Sequence, residues 1–109
     1  MSKDSEVDTL WAEIHIAGDY RRAVNFCHDR VTDASFCVSV IPADYVYNGG
    51  IQSGVRIRLI HYPKYPATLE DIRARARNLA EGLRVELNQY SYTVEDSEKT
   101  YWYDCHPNN

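Results

Sequence analysis

The dipeptide Asn48-Gly49 sits between two stretches of alternating apolar and polar residues, and it constrains the chain more than any other feature. Asn-Gly is the strongest local signal for a two-residue hairpin turn of type I′. Read literally, it places Tyr47 opposite Gly50 and fixes every other pair. Val40 then meets Ile57, Val38 meets Leu59 and Phe36 meets His61 on one face. On the other face Ile41 meets Arg56, Ser39 meets Arg58 and Cys37 meets Ile60. Apolar side chains gather on one face in this register, and a slip of one residue would scatter them. Residues 35–62 are therefore expected to form one long hairpin with a buried face. Pro42 has no N–H to give a ladder, so its strand should lie at a sheet edge or carry a bulge.

The flanking segments supply the rest of a domain. Leu10, Ala12, Ile14 and Ile16 alternate with Thr9, Trp11, Glu13 and His15, the period of a half-buried strand over residues 9–17. Gly18 breaks it and Asp19 can cap a helix. Tyr20, Ala23, Val24, Cys27 and Val31 then recur at helical spacing. After the hairpin, Thr68 and Asp71 resemble a capping box. Leu69, Ile72, Ala76, Leu79, Ala80, Leu83 and Leu87 line one face of a helix ending near Asn88. Arg73, Arg77 and Arg84, with Glu81 among them, are expected on its solvated, salt-bridged side. Residues 90–94 and 99–103 read as two short strands turning at Asp96-Ser97-Glu98, in an ambiguous register.

The order is strand, helix, strand, strand, helix, strand, with one strand added. Right-handed crossovers put both helices on the same face of an antiparallel sheet. The expected fold is an α+β two-layer sandwich. It resembles the ferredoxin-like βαββαβ pattern with an extra C-terminal strand. A chain of 109 residues suits one core. Residues 9–104 are expected to form that domain, between a flexible tail at 1–8 and a second tail at 105–109.

Function is less bounded. The net charge of −4 and a pI near 5.5 argue against general nucleic-acid binding or an anionic membrane surface. No run nears the roughly 18 apolar residues of a membrane span. Three cysteines cannot pair completely, which fits reduced thiols and a cytoplasmic location. Cys27-His28 and Cys105-His106 are adjacent pairs whose side chains point apart, so no metal site is expected. The glycines lie in a hairpin rather than ahead of a helix, and no cofactor is expected. Only Trp11 offers a stacking platform for RNA.

The sheet face away from the helices should carry Trp11, Glu13, His15, Cys37, Ser39, Ile41, Arg56, Arg58 and Ile60. The bland reading is a solvated, ion-paired face. The sharper one is burial against a second copy, because Trp11, Ile41 and Ile60 are apolar for a solvated surface. The hairpin tip, with Tyr45 and Tyr47, and the last hairpin, with Trp102, add aromatic surface of the kind enriched at interfaces. These features lead to the expectation of a non-catalytic interaction module that forms a homodimer through its sheet. Such a module would be a small acidic inhibitor or adaptor, of the kind found as viral or mobile-element accessory proteins. Trp11, Tyr45, Tyr47, Arg56, Arg58, Ile60 and Trp102 would be its binding residues. Two alternatives stand beside it. One is a small-molecule or nucleotide-binding dimer in which Arg56 and Arg58 converge on the ligand's charge. The other is a small enzyme with an acid–base site at Glu13 and His15, with Cys37 as a candidate nucleophile.

Overall fold

The computed structural model describes residues 4–32 and 36–107. The elements run β1 (Trp11–Ala17), α1 (Tyr20–Arg30), β2 (Val38–Tyr47), β3 (Gly50–Ile60), α2 (Leu69–Glu86), β4 (Ser91–Asp96) and β5 (Thr100–Asp104). They build one five-stranded antiparallel sheet in the order β2-β3-β1-β4-β5, with both helices on one side. This is the expected two-layer α+β sandwich of ferredoxin-like order with an extra strand. Predicted residues 1–3, 33–35 and 108–109 lie outside the described part of the chain.

The hairpin register is the one that the turn dictates. Val40 pairs with Ile57, Ser39 with Arg58 and Tyr47 with Gly50, without interruption past Pro42. Pro42 is tolerated because β2 is an edge strand. Of the two turn residues only Gly49 takes a positive φ, +93°. That is the pattern of a type II turn, which needs one left-handed position, rather than the I′ turn, which needs two. The arm does not fold back. Val46 is 76% exposed at its tip, beside the exposed Tyr47 and Ile51. The radius of gyration is 15.0 Å, against about 13 Å for a compact chain of this size.

Both helices start as their sequences dictate. Asp19 accepts from the Arg22 N–H at 2.9 Å, and Thr68 and Asp71 bond each other's backbone N–H in a capping box. Their apolar stripes meet the inward residues of the sheet, and Ile14, Val55, Ile57, Ile72, Leu83 and Val94 are fully buried. Each contributes on the order of 1.5–3 kcal/mol by leaving water. Cys27 belongs to this core. Burial pushes its thiol up to about 11, so it packs as an inert side chain.

The arginine face of α2 is not simply solvated. Glu81 accepts from Arg84 at 2.6 Å and from the Tyr92 hydroxyl at 2.7 Å. Arg77 lies 4.1 Å from the centre of the Tyr103 ring, and Arg73 lies 5.6 Å from that of Tyr101. The reason is β5. It widens the sheet beyond the apolar cover of α2, and long cationic side chains cover its tyrosines instead. Arg73 also donates to Asp96 at 2.7 Å. Asp96 takes the backbone N–H of Glu98 and Lys99 as well, each at 2.8 Å, so it closes the β4–β5 turn and ties it to α2.

Two measurements test this frame. Burial raises the Asp96 pKa, but its three donors outweigh burial and hold it below the ordinary carboxylate value. A depressed folded pKa contributes stability above the unfolded value, lost as pH falls through the folded one. Urea unfolding of Asp96→Asn should therefore show lower stability than wild type near neutrality, with the gap narrowing below about pH 4. A Cβ at Gly54 would stand 2.4 Å from the Ile16 carbonyl oxygen and 2.7 Å from the Tyr45 ring. Gly54→Ala should cost about 1–3 kcal/mol in the same assay.

Candidate active site on the open sheet face

Strand alternation selects what the open face displays. With Ala12, Ile14 and Ile16 inward, β1 turns Glu13 and His15 outward. Glu13 stands opposite Arg58 on β3 and Glu95 on β4, while His15 stands opposite Arg56 and Thr93. Two side-chain clusters follow from these pairings.

The first is built on Glu13, whose side chain is only 9% exposed. Arg56 Nε lies 3.1 Å from its Oε1 and Arg58 Nη1 lies 4.0 Å from its Oε2. Arg58 also spreads over the Trp11 ring at 4.7 Å. A carboxylate so far out of water needs countercharge, and these two arginines supply it. Neither arginine lines the pocket that His15 borders, where the small-molecule alternative would have them meet a ligand's charge. Trp11 is a shelf for Arg58 rather than a free stacking surface.

The second is built on His15. Its Nε2 lies 2.6 Å from Glu95 Oε1. Tyr45 reaches across Gly54 from β2, meets the imidazole edge-on with ring centres 6.2 Å apart, and donates its hydroxyl to the Val55 carbonyl at 2.6 Å. Burial raises the Tyr45 pKa. His15 and Tyr45 form one wall of a pocket of about 330 Å³. Tyr90, Trp102 and His106 supply aromatic walls, and Gln52, Gln89, Ser91 and Thr93 supply amide and hydroxyl groups. His106 stacks on Tyr90 at 4.6 Å and is held by Asp104, whose pKa its hydrogen bond lowers. The Cys105 N–H donates to the Tyr90 carbonyl at 2.7 Å, so this part of the predicted tail folds against β4.

One ligating atom each from Glu13, His15 and Glu95 lies within 4.8 Å of the others, the spacing of a metal site. The chemistry does not suit a cation. Glu13 is already neutralised by Arg56, and a divalent ion there would sit against two guanidinium groups.

Other predicted residues do not join the pocket. Cys37 precedes β2 and lines a groove with Cys27 and Val24 of α1, while His15 lies on β1 with β3 between them. No Cys37–His15 pair forms. Tyr47 and Ile60 are exposed, at the arm tip and the end of β3. Tyr45 is not a tip residue but a pocket wall. The sequence reading missed Tyr90, Thr93, Glu95 and His106. Alternation in Ser91-Tyr92-Thr93-Val94-Glu95 would have turned Thr93 and Glu95 outward once the strand register was known. Nothing local announced that His106 returns to Tyr90.

The structure is thus an α+β sandwich with an aromatic and polar pocket notched into its uncovered sheet face. The sequence matches no protein-family model and no curated protein. The fold does match solved structures. A phage SAM lyase in its apo state superposes with a TM-score of 0.59 at 13% identity, over 92% of each chain. A phage SAM lyase in complex with S-methyl-5′-thioadenosine gives 0.59 at 12% identity, over 95% of each chain. At this identity the likeness establishes the shared fold. It also overturns the expectation of a non-catalytic inhibitor or adaptor of the viral accessory kind. Both of these solved structures are of an enzyme, one of them holding a small molecule. No helix among the described residues is long and apolar enough to cross a membrane.

Truncating Glu13 would strand Arg56 and Arg58. Glu13→Ala should cost about 2–3 kcal/mol in chemical unfolding, less than a fully buried pair because both arginines are partly in water.

Proposed function

We propose that this chain is an enzyme acting on an adenosine-bearing sulfonium, and that it cleaves S-adenosylmethionine to release S-methyl-5′-thioadenosine. The observation that carries this reading is the end-to-end fold likeness to a lyase bound to that thioether.

The pocket chemistry supports it. A volume of about 330 Å³ is in the range of small-molecule sites. The rings of Tyr45, Tyr90 and Trp102 can stack a purine and attract a sulfonium cation through their electron-rich faces. Gln52, Gln89, Ser91 and Thr93 offer the donors and acceptors a nucleoside needs. The bond to be broken joins the sulfonium sulfur to the γ carbon of the methionine half. The substrate's own carboxylate oxygen attacks that carbon and closes a lactone, while the bonding pair goes to sulfur, which leaves as a neutral thioether and needs no proton. The demand on the protein is to hold the substrate in a reactive shape and keep water out. A preformed aromatic wall suits that demand.

Purified protein incubated with S-adenosylmethionine and followed by liquid chromatography and mass spectrometry should accumulate S-methyl-5′-thioadenosine. Trp102→Ala should raise the Kd for that thioether roughly 5- to 100-fold, the worth of about 1–3 kcal/mol of base stacking. A wild type that neither forms the product nor binds the thioether would reject the reading.

A further inference from the structure

The pocket contains an imidazole whose two nitrogens have different surroundings. His15 Nε2 faces Glu95 Oε1 at 2.6 Å. An ionised carboxylate only accepts, so in the neutral ring the proton sits on Nε2 and is donated to Glu95. Nδ1 is then an acceptor. It has no hydrogen-bond partner among the described residues. His15 lines the pocket and Glu95 does not, so Nδ1 is the nitrogen left for a bound molecule.

The neighbours of the ring leave this arrangement intact. The Glu13 carboxylate, within 4.8 Å of the imidazole, is held by Arg56, which stands opposite His15 on β3. Tyr45 presents a ring edge and gives its hydroxyl proton to Val55. Thr93, the partner on β4, carries no charge.

We infer that His15 determines ligand specificity in this pocket, its Nδ1 taking a hydrogen bond from a donor on the bound nucleoside, with Glu95 as the positioning residue that fixes the tautomer. The inference rests on the adenosine reading above. S-methyl-5′-thioadenosine has two kinds of donor, the ribose hydroxyls and the 6-amino group of the base. Both offer the same chemistry to Nδ1, and a pocket with a fixed acceptor rejects a ligand lacking the matching donor.

The test is calorimetric titration of the full chain at about pH 8.5. The ligands are S-methyl-5′-thioadenosine, its 2′-deoxy and 3′-deoxy analogues, and the inosine analogue that lacks the amino group. One class of analogue should bind wild type about tenfold or more weakly than the parent, the worth of a hydrogen bond whose acceptor is left unmet. The class that loses affinity shows whether ribose or base supplies the donor. His15→Phe should weaken the parent by a similar factor and remove the discrimination between parent and analogue. Glu95→Gln should weaken binding too, because an amide can donate to Nε2 and leave Nδ1 protonated. That effect should vanish in the His15→Phe background, which separates tautomer control from a general loss of structure.

Equal binding of all the analogues by wild type would overturn the inference, and that arm requires no variant to fold. So would parent binding unchanged in His15→Phe, or a Glu95→Gln effect that persists undiminished in the double variant. In each of these outcomes the adenosine reading survives. A wild type that neither binds thioadenosine nor forms it from S-adenosylmethionine overturns both.

Discussion

A one-residue slip of β1 would turn Glu13 and His15 toward the helices and expel Ala12, Ile14 and Ile16 from the core. Because β1 is central, its register also sets what stands beside each outward residue on β3 and β4. Arg56 and Arg58 reach Glu13, and Glu95 reaches His15, only because the ladders place them on neighbouring rungs. The core and the candidate site are thus two faces of the same alternation. A change that disturbs one face is felt on the other.

The charges nearest the core are structural. Glu13 holds two arginines against the open face, and Asp96 holds Arg73 at the β4–β5 turn. Arg77 and Arg73 cover the tyrosines of β5 where helix cover ends. Composition alone suggests a modest negative field. The fold instead spends its charges in pairs at the edges of the core, where desolvated carboxylates need partners. His15 with Glu95 and His106 with Asp104 differ, as carboxylate–imidazole pairs that border a pocket rather than close a seam.

That pocket draws on all five strands. β1 contributes His15, β2 contributes Tyr45, β3 contributes Gln52, and β4 and β5 contribute Thr93 and Trp102. His106 returns from beyond β5 to stack on Tyr90. Gly54 is the space through which Tyr45 crosses to the imidazole. Such a site is assembled by topology, which explains how a chain without a catalytic motif can share its architecture with an enzyme.

The sequence by itself determined what depends on local geometry. Asn48-Gly49 and the alternation around it set the register of the long hairpin. Thr68 with Asp71 set the start of α2, and the 3.6-residue and two-residue periods separated the buried faces from the open one. It placed Glu13 and His15 on the open face for the same reason. What it left open depends on contacts distant in sequence. The turn took one left-handed residue rather than two, Tyr45 became a pocket wall rather than an arm-tip contact, and Cys37 fell beside α1 rather than near His15. Glu95 lies 80 positions from His15, and His106 lies 16 from Tyr90. Those partners became visible only in the tertiary structure, because hydrogen bonds and ring stacking are fixed by strand order and chain return, which no short window of residues encodes.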